Sequence, residues 1–223
     1  MAGPVVGFDL DMTLVDARVG IAATYRALAA RTGVPVDADA AVARLGPPLR
    51  VELANWFPPE QVEDAVRAYR ALYPRHANEG CRPMPGARSA VAAVRRHGGR
   101  VVVVTSKLGR FARAHLDHLG FVVDDVVGDS FGDGKAEAIT TYGISVYVGD
   151  HVADVRAARA ASALAVAVAS GPSTRQELRS AGAHAILPDL HLFARWWDSH
   201  RSAPASPPRG RGETAADAPR GSG

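Results

Sequence analysis

The stretch Val5-Val6-Gly7-Phe8-Asp9-Leu10-Asp11-Met12-Thr13 opens as an apolar strand and closes on two carboxylates and a hydroxyl. Side chains at i and i+2 of an extended chain project to the same side, so Asp9 and Asp11 share a face while the strand lasts. Two carboxylates held close at a strand's C-terminal end repel, and one keeps a proton unless a cation neutralises the pair. That division of labour is chemically useful. One ionised carboxylate can act as a nucleophile while the other gives and takes a proton. Two acids capping a turn would carry the same letters, so the other strand ends decide the reading.

Short apolar, β-branched runs recur at Val101–Thr105, Val126–Gly128 and Ser145–Gly149, with weaker ones at Leu164–Val168 and Ala185–Leu187. Helical spacing lies between them: Ala87, Val91 and Val94 fall on one face, as do Ala112, Leu116 and Leu119. Strands that are apolar throughout, alternating with helices, predict an α/β fold: a doubly wound parallel sheet covered on both faces. Chemistry in such sheets gathers at the carboxyl ends of the strands.

One interval breaks the rhythm. Val15 to Pro85 carries helical signals and no convincing strand. Ile21, Tyr25 and Leu28 mark one amphipathic helix, and Val62, Val66, Tyr69 and Tyr73 another. Gly46-Pro47-Pro48 and Trp56-Phe57-Pro58-Pro59 interrupt the helices between them. The expected organisation is a catalytic core over 1–14 and 86–200, with a small helical cap over 15–85. Asp16 is expected to cap the first cap helix. Residues 201–223 hold no Val, Ile, Leu, Met or aromatic residue and are expected to form a disordered tail.

The chain has 223 residues and a formal charge of +3, part of it in that tail, which gives no electrostatic case for nucleic acid. No apolar run is long enough to span a bilayer, and no secretory signal is visible, so a cytoplasmic location is expected. The single cysteine, Cys81, cannot form an internal disulfide. Of 26 basic residues only Lys107 and Lys135 are lysines, which singles both out.

Three further strand ends answer the aspartate pair. Val101–Val104 runs into Thr105-Ser106, a hydroxyl and two backbone N–H groups suited to a phosphate, although a hydroxyl there also serves as a turn former. Val146–Val148 runs into Gly149-Asp150, with Asp154 four residues on, and Lys135 opens a helix just before that strand. Several carboxylates offer hard oxygen ligands that select magnesium over zinc. A lysine and a hydroxyl opposite that cation match the charge of a phosphoryl group.

These four segments, in order, resemble the four motifs of the haloacid dehalogenase superfamily, on its phosphatase side and close to the phosphoglycolate phosphatase-like group. The first spans Phe8 to Asp16, the second Val104-Thr105-Ser106-Lys107, the third is Lys135, and the fourth Val148-Gly149-Asp150 with Asp154. The likeness covers about residues 4–198 and implies a Rossmann-like core with a helical cap. Gly46-Pro47-Pro48-Leu49 also resembles a cap segment of that group. By this resemblance Asp9 would attack phosphorus and form an aspartyl-phosphate, while Asp11 would protonate the leaving oxygen and then activate water. Thr105, Ser106 and Lys135 would hold the phosphoryl oxygens. Magnesium (Mg2+) would sit on Asp9, the Asp11 carbonyl and Asp150, with Asp154 a ligand or one shell out.

The sequence departs from the family at Met12, where glycine is usual, at His151, where a small polar residue is common, and at Ser106, often asparagine. Asp11 argues against carbon–halogen cleavage, because the dehalogenases lack an acid there. Specificity is expected in the cap, near Arg50, Asn55, Trp56 and Phe57. His115 and His118 are read as a surface pair, and Phe193, Trp196 and Trp197 as docking the last helix. The expected activity is hydrolysis of a small phosphorylated metabolite. The alternatives are a sugar phosphomutase of the same fold, with Arg50 holding a second anion, and a non-catalytic relative that binds a phosphorylated ligand. A phosphorylation-controlled receiver domain fails on the order of its acids and on the helical insert. Neither substrate identity nor the choice between monomer and homodimer can be read from the chain.

Overall fold

The computed structural model describes residues 3–202. Six parallel strands form one sheet: β1 (Val5–Phe8), β4 (Arg100–Val104), β5 (Asp125–Val127), β6 (Val146–Gly149), β7 (Leu164–Val168) and β8 (Ala185–Leu187). Their order across the sheet is β5-β4-β1-β6-β7-β8. β1 therefore lies centrally, with Phe8 in register with Val103 on one side and Val148 on the other. That register aligns the residues after β1, β4 and β6 at one edge, where the order reverses direction.

Helices cover both faces, and strand alternation assigns each side chain to one of them. Val6, Phe8, Val101 and Val103 face α5 (Ala87–Arg96) and α10 (Phe193–Ser202), where the Phe8 and Phe193 rings meet edge-on at 5.4 Å. Val102, Val104, Tyr147 and Ala165 face the other side, toward α7 (Asp133–Thr141), α8 (Val152–Ala160) and α9 (Arg175–Ser180). The last of the flanking helices, α6 (Gly109–His118), follows β4. Phe193 and Trp197 dock α10 as expected, both fully buried.

Between β1 and β4 the chain forms α1 (Arg18–Thr32), α2 (Ala38–Ala43), α3 (Leu49–Leu53) and α4 (Val62–His76). Ile21, Tyr25 and Leu28 of α1 pack against Val66, Tyr69 and Tyr73 of α4. This apolar layer runs without a break into the one beneath the sheet through Leu10, Met12, Leu14 and Phe111. The interval, expected to hold no strand, also contains a pair of two-residue strands, β2 (Val15–Asp16) and β3 (Arg82–Pro83). They pair antiparallel, Val15 with Pro83 and Asp16 with Arg82. Two residues are too few to carry a periodic signal.

The N-cap position of α1 is Ala17, one residue later than expected, but Asp16 Oδ1 still accepts from the N–H of Arg18, the first residue of that helix, at 3.3 Å. Its carboxylate is also gripped by the side chains of Arg18 (2.8 and 2.9 Å) and Arg82 (3.2 and 3.0 Å), the latter joining the two strands of the ribbon. At the other end, Arg201 and Ser202 belong to α10 rather than to the expected tail. The remainder of that tail lies outside the described residues.

Candidate active site

The carboxyl edge of the sheet gathers the predicted residues. After β1 the chain turns sharply: the Leu10 carbonyl accepts from the N–H groups of Thr13, Leu14 and Val15 at 3.3, 2.9 and 2.9 Å. This turn forces Met12 into the left-handed region at φ 63°, the conformation for which glycine is the usual residue. The departure at Met12 is thus a strained one, held by burial of its side chain and by Ser170 Oγ donating to its carbonyl at 2.7 Å.

Below the turn lies a buried ionic cluster. Lys135 Nζ donates to Asp154 Oδ1 at 2.6 Å and to Asp9 Oδ1 at 3.2 Å. Asp150 accepts a 2.7 Å hydrogen bond from Thr13 Oγ1. Asp154 is the third residue of α8, and its other oxygen accepts from the His151 N–H at 3.0 Å, while His151 Nδ1 accepts from Ala153 N–H. His151 thereby does the helix-capping that a small polar residue would do. Oxygens of Asp9, Asp150 and Asp154 lie within 4.8 Å of one another.

Two glycines make room for this. A Cβ on Gly171 would lie 1.7 Å from Asp150 Oδ2, and one on Gly149 would lie 2.4 Å from the Asp154 carboxyl. Neither position tolerates a side chain without moving an acid.

Burial raises the Asp9 pKa to about 7; Lys135 opposes the shift, while Asp154 and Asp11 reinforce it. Burial, then Asp9 and Asp154, push Asp150 well above the carboxylate range. Burial works to discharge Lys135, but Asp154 and Asp9 overcome it and hold the ammonium well above its ordinary value. Ionising all three buried acids against one lysine would leave uncompensated negative charge, which is why Asp9 and Asp150 hold their protons so firmly. The donors are all hard oxygens, so the set fits a divalent cation of the magnesium type.

Asp11 stands apart from that cluster. Its carboxylate accepts a 2.7 Å hydrogen bond from Lys107 Nζ, itself buried and 5.2 Å above the ring of Tyr73. Lys107 was notable in sequence only for being a lysine; the structure makes it the partner of Asp11. The Tyr73 hydroxyl in turn lies 2.7 Å from His115 Nε2, and His115 Nδ1 lies 3.2 Å from Cys81 Sγ. His115 is therefore not a surface residue but fully buried, on the same face as Ala112 and Leu116. That spacing was the available signal.

Above Asp9 and Asp11 opens a cavity of about 280 Å³ between the sheet edge and α1–α4. Thr105, Ser106 and Lys107 line its floor and Arg50 its wall. Lys135, Asp150 and Asp154 lie beneath, outside its lining. Ser106 Oγ donates to the Gly46 carbonyl at 3.0 Å, and the His151 ring packs so closely on Gly46 that a Cβ there would lie 2.8 Å from it. Gly46 thus ties the Gly46-Pro47-Pro48 loop to the sheet edge.

Of the four residues expected near the substrate, only Arg50 reaches the cavity. Asn55 and Trp56 turn toward Glu52, with Trp56 Nε1 donating at 2.9 Å and Asn55 at 3.4 Å. Phe57 is buried in the apolar layer.

Comparison with known proteins places this geometry. No curated protein matches the sequence. Among solved structures, a haloacid dehalogenase-like family hydrolase from Streptococcus pneumoniae is 21% identical with a TM-score of 0.78, over 88% of this chain and 99% of that one. A predicted phosphatase from Clostridium acetobutylicum is 25% identical, TM-score 0.75, over 89% and 100% of the two chains. A candidate β-phosphoglucomutase from Thermotoga maritima is 20% identical, TM-score 0.66, over 88% and 99%. The family model for haloacid dehalogenase-like hydrolases matches residues 6–159, from within β1 to within α8, and the chain belongs to that family of enzymes.

Proposed function

We propose that the protein is a magnesium-dependent phosphatase that hydrolyses a small phosphomonoester metabolite through an aspartyl-phosphate on Asp9. The observation that carries this reading is the separation of two carboxylates two residues apart into different ionic settings. Asp9 joins Lys135 in the buried cluster, while Asp11 is paired with Lys107 at the cavity floor.

Asp9, Asp150 and the Asp11 carbonyl would hold magnesium, with Asp154 a ligand or one shell out; bound there, the cation neutralises phosphoryl oxygens and the acids around them. An Asp9 oxygen forms a bond to phosphorus as the phosphorus–oxygen bond to the leaving group breaks. Asp11 gives that oxygen its proton. Asp11 then takes a proton from water, whose oxygen attacks phosphorus and displaces Asp9, releasing inorganic phosphate. Lys135 and the Thr105 hydroxyl, with the backbone at Ser106, hold the phosphoryl oxygens. Residues 15–85 act as a cap that closes the site against bulk water.

The same reading takes the protein as cytoplasmic, with a small metabolite rather than nucleic acid as its partner. Among the described residues no helix is long and apolar enough to cross a membrane. Intact Asp9 and Asp11 favour catalysis over a purely binding role.

The test is hydrolysis of a generic aryl phosphate by wild type and by Asp9→Asn, each with magnesium and with chelator. Turnover that needs both magnesium and Asp9 supports the mechanism. Equal turnover in Asp9→Asn would overturn it, and a requirement for a sugar bisphosphate would shift the reading to a mutase.

A further inference from the structure

The wall of the cavity says what kind of ester it admits. Four basic side chains line it, and each is already engaged by an acid that lines it too. Lys107 is on Asp11 at 2.7 Å, and Arg44 is on Glu52 at 2.7 Å. Arg50 is on Glu63 at 2.6 Å, and Arg70 is on Asp129 at 3.2 Å. With Asp9 as a fifth acid, the lining carries no excess of positive charge. A second anion on the substrate would have to compete with a carboxylate already in place for each of these cations, most costly at the Lys107–Asp11 pair, whose side chains are 9% and 18% exposed.

Two of the lining hydroxyls are already engaged. The Tyr73 hydroxyl lies against His115 Nε2, and Ser106 Oγ donates to the Gly46 carbonyl. The rings themselves remain. Tyr25 and Tyr69 lie 4.9 Å apart, Tyr69 and Tyr73 5.7 Å, and Tyr73 and Phe111 4.7 Å, a continuous aromatic run from α1 to α6. Leu45, Leu49 and Val66 add aliphatic surface beside it.

We infer that the substrate is a phosphomonoester of an uncharged, apolar or aromatic alcohol, and that esters carrying a carboxylate or a second phosphate are disfavoured. This rests on the phosphatase reading above and adds the substrate class to it. It also removes the role considered for Arg50, whose guanidinium is held by Glu63 rather than offered to a second anion.

Benzyl phosphate, 2-phosphoglycolate and glucose 6-phosphate provide the test, because all three leave as poorly acidic alcohols and differ chiefly in the group the cavity must receive. For wild type with magnesium, kcat/KM for benzyl phosphate is expected to exceed the other two by at least tenfold. A preference for 2-phosphoglycolate or glucose 6-phosphate overturns the inference while leaving the phosphatase reading intact. Failure to hydrolyse all three, together with an aryl phosphate, overturns both. Glu63→Gln supplies a second readout. Arg50 and Glu63 are both exposed, so the fold is not at stake. Releasing Arg50 is expected to move the ratio of kcat/KM values at least fivefold toward 2-phosphoglycolate. An unchanged ratio refutes the argument from paired charges.

Discussion

His115 makes the stability of this protein sensitive to mild acid, by an amount that can be worked out. Its ring is fully buried between the Tyr73 hydroxyl and Cys81 Sγ. Burial first, and then the nearby Lys107 and His118, hold its pKa down at about 4 against an ordinary 6.5; Asp11 pulls the other way. Below pH 6.5 the unfolded chain takes up a proton at this residue and the folded chain does not, so stability present above 6.5 is lost as the pH falls toward 4. Within that window each pH unit costs about 1.4 kcal/mol, which amounts to about 2 kcal/mol between pH 7 and pH 5. The perturbation is His115→Gln, which keeps a polar group beside Tyr73 but cannot titrate. Urea unfolding of both proteins at pH 5, 6 and 7, in chelator, gives the free energies. The buried carboxylates contribute to both curves alike, so the wild-type-minus-variant difference isolates His115. That difference should shrink by about 2 kcal/mol from pH 7 to pH 5. Parallel curves would show that His115 does not stay neutral in the folded state, and the account of the network would fall.

Lys107→Met removes the ammonium that holds Asp11, and steady-state kinetics should show kcat lower by about tenfold to a hundredfold with KM little changed. A variant with wild-type kcat would remove Lys107 from the site. Gly171→Ala forces Asp150 from its place, so magnesium affinity measured by calorimetry should weaken by about tenfold or more while circular dichroism stays native. Asp16, whose carboxylate Arg18 above all, together with Arg82, holds down at about 2, contributes stability above pH 3.8 that is lost as the pH falls through about 2. Asp16→Asn should therefore destabilise the protein by about 1 kcal/mol at neutral pH, after solvent screening, and by only a small fraction of that at pH 2 in thermal melts.

The parallel sheet and its loaded edge were legible because strand ends leave a spacing-independent mark: an apolar run followed by Asp9, Thr105 or Asp150 reads the same whatever lies between. Lys135 was legible because it precedes such a strand and lysine is rare in this chain. The insert announced itself as a missing strand. What could not be read were directions within short or paired elements. α3 has five residues, too few to fix a helical phase, so Asn55, Trp56 and Phe57 could be placed near the cavity but not facing it or away. Arg50 reaches the cavity, yet its pairing with Glu63 depends on how α3 meets α4, which no local pattern encodes. Asp16 carried the letters of a helix cap and does accept from the first N–H of α1, but its bond to Arg82, 66 residues away, had no local signal.

The β2–β3 ribbon has a consequence for how such a protein can change. The chain leaves the sheet layer after Asp16 and returns at Arg82, two residues paired to each other and clasped by one ionic contact. Residues 17–81 are therefore a closed excursion whose ends are fixed side by side, and the register of β1 against β4 does not depend on what the excursion contains. Closure cost grows only slowly with length, by about 0.6 kcal/mol for each doubling of a flexible loop. Length changes in the exposed turns of this segment therefore leave its two ends where they are, while Tyr73, which reaches His115, and the residues that continue the apolar layer beneath the sheet bind it to the core. The segment is thus anchored twice, at its ends by the β2–β3 pairing and along its length by the shared apolar layer, and change is tolerated where neither anchor runs.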